Sequence, residues 1–172
     1  MKQTIKVKRI DKGIQPPCIK DTGDWIDLRA AKKVHIEGPY TVQSRKDKDR
    51  KSVFTSAVVP LGVAIELPKG YEAIVDVRSS LYKNYQVILA NSQGVIDGSY
   101  NGDDDQWFAH LLAFNDTIIC KGDRICQFRI QLSQKATIWQ KIKWLFSNGV
   151  KIKIVDHLGN NNRGGHGSTG RR

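Results

Sequence analysis

The sequence predicts an all-β domain, a sandwich or barrel of many short strands, with one helix and a Gly-rich C-terminal arm. Three observations predict it. Apolar residues alternate with polar ones at period two, turn signals separate the short apolar runs, and a single stretch has helical spacing. In chain order, Ile5-Lys6-Val7-Lys8 reads as a strand with one buried face. Ser44–Ser52 is a polar charge run between β-like segments and reads as a mobile surface loop. Glu72–Val77, Val87–Ala90, Leu111–Phe114 and Ile125–Ile130 are short apolar runs of strand length. Pro68-Lys69-Gly70, Asn91–Gly94, Asn101-Gly102 and Lys121-Gly122-Asp123 supply the turns around them. Ile138, Trp139, Ile142, Leu145 and Phe146 fall on one helical stripe, with Trp144 off it, so this segment reads as a short amphipathic helix. Val150-Lys151-Ile152-Lys153-Ile154 alternates again. From Asn160 to Arg172 the chain has no apolar residue to pack a core, and composition predicts disorder in the free protein. The division expected is a β domain over 1–158 and a flexible arm over 159–172.

A chain of 172 residues is large enough for one core. No apolar run approaches the roughly 18 residues of a membrane span, and Met1–Ile10 has no signal-peptide pattern. Cys18, Cys120 and Cys126 lack CxxC spacing, which excludes a zinc knuckle or a disulfide framework and suits a reducing cytoplasm. The net charge of +11 would attract polyphosphates, nucleic acid or acidic proteins. Solubilising charge explains it equally well, and no motif for specific nucleic-acid binding accompanies it.

Chemistry concentrates in three places. Arg78-Ser79-Ser80 follows a strand directly, and a guanidinium, two hydroxyls and strand-end amides can grip phosphate; a plain surface turn reads the same way. Asn91–Gly94 suggests a hairpin whose main chain can read a base edge. Asp97, between apolar strand residues and a turn, either caps that turn or works as a general base. Tyr100 packs against a sugar ring or fills core. Asp103-Asp104-Asp105 reads as a solvated turn, since metal ligands must converge rather than adjoin. In the tail, Arg163 and the glycine amides suit a phosphate chain.

Together these pieces resemble the trimeric dUTPase family, whose five short motifs occur in fixed order. Gly23-Asp24-Trp25-Ile26-Asp27-Leu28-Arg29-Ala30 resembles the first motif and Arg78-Ser79-Ser80 the second. Gly94–Gly102 (GVIDGSYNG) resembles the third, Gly122-Asp123-Arg124-Ile125-Cys126-Gln127 the fourth, and Gly164–Gly170 (GGHGSTG) the fifth. The variant is similar to the dUTPases of Gram-positive bacteria and their phages. The resemblance implies a jelly-roll-like subunit, a homotrimer with shared sites, and hydrolysis of dUTP to dUMP and pyrophosphate, limiting uracil in DNA. It implies Asp97 as the base that activates water toward the α-phosphorus, and Arg78, Ser79, Ser80 and Gln127 as phosphate ligands. Asn91, Gly94 and Ile96 would present main-chain groups to uracil, and Tyr100 would lie beneath the deoxyribose. Mg²⁺ would bind the phosphates, with Asp27 reaching it through water. Arg163, His166, Gly167, Ser168 and Thr169 would close over another subunit's site.

The sequence departs from the family where an aromatic residue is usual in motif five, because His166 stands there. It also carries Arg163 three positions before His166 rather than five, Val77 for the usual proline, and Ser99 for a common acid. A lid over uracil is therefore expected from elsewhere. Trp107 and Phe108 follow motif three, alternation lets one face the nucleotide, and the reading assigns Phe108 to stacking and Trp107 to the core. A dCTP deaminase of similar fold is the rival enzyme. It needs a proton-shuttling Glu after motif three, and Gln106–Asn115 has none. A regulatory protein partner, met by the Ser44–Ser52 loop, is compatible with catalysis.

Overall fold

Residues 2–20, 23–43 and 50–165 are described by the computed structural model. Strand β1 (Gln3–Arg9) buries Gln3, Ile5 and Val7 and leaves Lys6 and Lys8 partly exposed, as alternation predicts. It lies between β6 (Ser56–Glu66), antiparallel, and β13 (Val150–Val155), parallel, with Ile5 opposite Ile152. Strands β10 (Gln106–Ala113) and β8 (Val87–Leu89) complete this sheet in the order β13-β1-β6-β10-β8. The second sheet runs β2 (Ile26–Arg29), β12 (Arg124–Leu132), β7 (Tyr71–Val77), β9 (Gly94–Ile96). Ile5, Leu61, Ile65, Trp107 and Leu111 of the first sheet share one core cluster with Ile26, Leu28, Val75, Phe128 and Ile130 of the second. Trp107 is fully buried, and its ring meets Phe128 edge-on at 5.2 Å, joining the two layers. The architecture is the expected all-β sandwich. Two small pairs flank it: β3 (Val34–Ile36) with β11 (Thr117–Ile119), and β4 (Tyr40–Gln43) with β5 (Arg50–Val53).

Strand β6 crosses the middle of its sheet without regular alternation: Leu61–Ile65 are all buried. It tolerates Gly62 at φ +67, a left-handed conformation that favours glycine, and the Gly62 carbonyl accepts from both Ile10 and Asp11.

Four expectations need correction. First, two helices form among the described residues. The unexpected one, α1 (Leu81–Tyr85), starts immediately after Ser80 and anchors itself by burying Leu81. Secondly, the predicted helix exists as α2 (Ile138–Leu145), started by a reciprocal Thr137–Gln140 capping box, but its apolar stripe faces outward. Trp139 and Leu145 are 76% and 77% exposed, whereas Trp144, off the stripe, packs its ring at a tilt against Tyr71, 5.5 Å between centroids. The stripe was read from spacing, and spacing does not say which face meets the body. Thirdly, Ser44–Ser52 is not a loop throughout. Arg50, Lys51 and Ser52 pair with Gln43, Val42 and Thr41, while positions 44–49 lie outside the described residues. Fourthly, the first part of the arm docks. Asn160, Asn162, Arg163 and Gly164 bond to the segment Asn101–Asp105.

Candidate active site

Asp97 ends β9. Pairing of Val75 with Gly94 and of Ala73 with Ile96 fixes the strand, so the chain turns at a defined point. One oxygen of Asp97, Oδ1, accepts from the Ser99 amide at 2.8 Å and the Ser99 hydroxyl at 2.5 Å. The other, Oδ2, meets the Arg163 guanidinium at 2.5 Å. Asp97 therefore does cap its own turn, and a second oxygen still points toward the cleft. Burial raises its pKa, but the Ser99 hydrogen bonds and the Arg163 charge outweigh that and hold it below 3.8.

A cleft of about 360 Å³ opens beside it, lined by Asn91, Gly94, Ile96, Tyr100, Phe108 and Arg163, among others. Tyr100 donates its hydroxyl to the Gln106 carbonyl at 2.7 Å, and its half-buried ring both packs on the core and walls the cleft. On β10 the alternation sends Trp107 into the core and leaves Phe108 at the cleft. The turn from Leu89 to Gly94 carries a left-handed Ser92, with its amide on Leu89, and holds Asn91 exposed at the rim.

A second cluster lies on the same sheet. Asp27, Gln127 and Asp76 stand opposite one another on β2, β12 and β7. Asp27 takes Arg78 Nε at 2.9 Å on one oxygen, with Arg124 at 3.0 Å and Lys20 at 3.5 Å on the other. Burial opposes ionisation of Asp27, yet Arg124, Arg78 and Lys20 together lower its pKa. Gln127 donates a long 3.5 Å bond to the Val77 carbonyl. Ser79 is exposed, and Ser80 occupies the α1 N-cap position without a side-chain cap bond.

The single chain thus gathers Asn91, Gly94, Ile96, Asp97, Tyr100, Phe108 and Arg163 in one place. Asp27, Arg78, Ser79, Ser80 and Gln127 belong to the other cluster and do not line that cleft. His166, Gly167, Ser168 and Thr169 lie outside the described residues. Arg163 reaches Asp97 of its own chain, whereas the resemblance implied a neighbour's site. Sequence reasoning missed Lys20 and Arg124, which complete the Asp27 cage, and His110, which lines the cleft. It also misjudged Asp103–Asp105: Asp105 is only 1% exposed, Asp104 and Asp105 hold the arm, and Asp103 holds Leu158 just before it. Their partners lie more than fifty positions away, and no local signal marks them.

A two-sheet domain with a cleft of about 360 Å³, an ionised acid at its mouth and, apart from the cleft, an arginine–serine segment has the parts to handle a nucleotide. Comparison with known proteins narrows it. A family model described as dUTPase matches residues 38–143. An SPbeta prophage-derived deoxyuridine 5'-triphosphate nucleotidohydrolase of Bacillus subtilis is 49% identical, over 96% of this chain and 97% of its own. A Helicobacter pylori deoxyuridine 5'-triphosphate nucleotidohydrolase is 29% identical over 96% of each. Among solved structures, the fold is similar to a dUTPase from Streptococcus mutans (TM-score 0.60, 20% identity, 77% of this chain and 98% of that one). It is similar also to the dUTPase of phage phi11 of Staphylococcus aureus (TM-score 0.60, 16% identity, 78% and 93%). The chain belongs to the dUTPase family.

Proposed function

We propose that this protein is a dUTP diphosphatase that hydrolyses dUTP to dUMP and pyrophosphate, with Asp97 as the general base. The observation that carries this reading is the Asp97 carboxylate itself: ionised, fixed by Ser99, and set at the mouth of a cleft walled by Tyr100 and Phe108. In-line attack on the α-phosphorus needs a base beside the water and cationic donors around the phosphate oxygens. Asp97 takes the proton of the attacking water. Arg78, Ser79, Ser80 and Gln127 hold the phosphates, and Arg163 follows the charge as it develops. Asn91, Gly94 and Ile96 offer main-chain groups to the uracil edge, where cytosine would leave donors and acceptors mismatched. Tyr100 supports the deoxyribose and leaves no room for a 2′-hydroxyl. Phe108 stacks on the base, and His166, Gly167, Ser168 and Thr169 complete the cover.

The residues present fit Mg²⁺ held chiefly by substrate. Among the described residues no three His, Cys, Asp or Glu converge as a metal cage, and Asp27 is an ionised oxygen donor held among Arg78, Arg124 and Lys20. Such a hard, sparse donor set suits an ion that keeps its waters and takes phosphate oxygens. When bound, Mg²⁺ neutralises charge on the triphosphate. The phage phi11 dUTPase coordinates a structural Mg(II) ion. The separation of the Asp97 cleft from the Arg78 cluster supports a homotrimer in which different chains supply the two halves. Cys18, Cys120 and Cys126 are free thiols, which accords with work in a reducing cytoplasm.

The test is pyrophosphate release from dUTP, dCTP, dTTP and UTP, with and without Mg²⁺. Hydrolysis of dUTP alone, dependent on the metal, is expected; ammonia release from dCTP would instead identify a deaminase.

A further inference from the structure

We propose, resting on Asp97 as the base of the reaction, that Asp105 is a positioning residue: it clasps the root of the C-terminal arm and thereby aims Arg163 at Asp97 before substrate arrives. Both carboxylate oxygens of Asp105 are committed to backbone amides. Oδ2 accepts from Gly102 at 2.8 Å and Arg163 at 2.9 Å, and Oδ1 from Gly164 at 2.9 Å and Arg163 at 3.1 Å. Such amide clusters stabilise a buried anion as a cation would.

The two preceding acids extend the grip. Asp103 accepts from the Leu158 amide at 2.8 Å and pairs with Lys8 at 3.3 Å. Asp104 and Asn162 bond reciprocally: the Asp104 amide donates to Asn162 Oδ1 at 2.9 Å, and Asn162 Nδ2 to Asp104 Oδ2 at 2.7 Å. Gly102 lets the arm come this close, because a Cβ there would fall 2.5 Å from the Asn162 Cα. The three consecutive aspartates thus secure the chain at Leu158, just before the arm, and at Asn162 and Arg163–Gly164 within it. The last leaves one rotatable side chain, that of Arg163, between the clasp and Asp97. An arm held in advance loses less conformational freedom when the nucleotide binds.

The test reads the clasp and the chemistry separately. Asparagine at 105 keeps the shape but has one acceptor and turns an NH₂ toward backbone donors. Trypsin cleavage at the Arg163–Gly164 bond, followed by mass spectrometry on the full chain, should therefore be about tenfold or more faster in Asp105→Asn, the scale of a lost charged hydrogen bond. Cleavage should also quicken in Asn162→Ala, an exposed change that carries the test if Asp105→Asn fails to fold. In dUTP hydrolysis, Asp105→Asn and Arg163→Ala should each lower kcat/KM by about tenfold or more, and the double variant should be no worse than the poorer single one. A merely structural Asp105 would lower Tm without this coupling. Unchanged cleavage in both clasp variants, or single defects that multiply in the double variant, overturns the assignment. If the chain does not hydrolyse dUTP at all, the function proposed above fails while the cleavage result still decides the clasp.

Discussion

Replacing Phe108 with alanine should separate substrate cover from folding. Phe108 and Trp107 are neighbours on β10, yet only Trp107 is fully buried, while Phe108 walls the cleft opposite the Asn91–Ile96 turn. A base stacked on an aromatic ring gains roughly 1–3 kcal/mol, so Phe108→Ala should reduce kcat/KM for dUTP by about 5- to 100-fold. Its cost in stability should be smaller than that of Trp107→Ala, because Phe108 is only partly buried whereas Trp107 is fully buried. Trp107→Ala removes the edge-on partner of Phe128 and opens a cavity between the sheets, which costs about 3–5 kcal/mol in stability. Pyrophosphate release and thermal unfolding, measured on both variants, give the four numbers. A silent Phe108→Ala alongside a damaging His166→Ala would refute the reasoning and put the lid in motif five.

Asp97→Asn should keep nucleotide binding and the oligomer, checked by calorimetry and size exclusion, while turnover falls at least about 10²-fold, the scale of a lost general base. Near-normal turnover would remove Asp97 from that role. The acid limb of kcat/KM should lie low: the carboxylate is held below 3.8, so the base stays ionised and activity is lost only as pH falls through that lowered value. In Arg163→Ala a cause of the lowering is gone, and the limb should move to higher pH. The same sign holds for stability from Asp27, whose lowered pKa makes its contribution full above the ordinary carboxylate value and lost as pH drops through the lowered one. Joining Gln43 to Arg50, which are paired in register, by a short Gly-Ser turn should leave turnover within about twofold, since loop length costs little to change. A large loss would make positions 44–49 part of the machinery.

Alternation made β1 and β13 legible, and β7 and β12 were legible as short apolar runs between turn signals. It could not mark β6, where burial on both sides and the interruptions at Pro60 and Gly62 erase the period. Helix α1 is only five residues long and owes its existence to Leu81 finding the core, a tertiary event. Most residues of the Asp97 cleft were legible because they crowd into one contiguous stretch, Asn91–Tyr100; strand parity narrowed the next aromatic to Trp107 or Phe108, and the structure places Phe108 at the cleft and Trp107 in the core. The Asp27 cage was only half legible, since Lys20 and Arg124 look like any other surface cations until β2 and β12 pair. Asp105 was read wrongly, because three adjacent acids suggest water, and what desolvates the last of them is backbone from the far end of the chain.

The parallel partnership of β1 and β13 bears on how the chain is made. When β1 leaves the ribosome, one of its edges can soon be taken by β6, but the other must wait for a strand translated more than a hundred residues later. Contacts of such long separation are slow to form, and an uncovered edge invites pairing with other chains. Lys6 and Lys8, partly exposed on β1, are the side chains that discourage wrong partners during that interval. The first sheet is complete only once β13 arrives, with the arm and its Arg163 directly behind it. Completion of the first sheet and delivery of Arg163 to the Asp97 cleft are thus nearly one event, and a nascent chain stalled before β13 would carry neither.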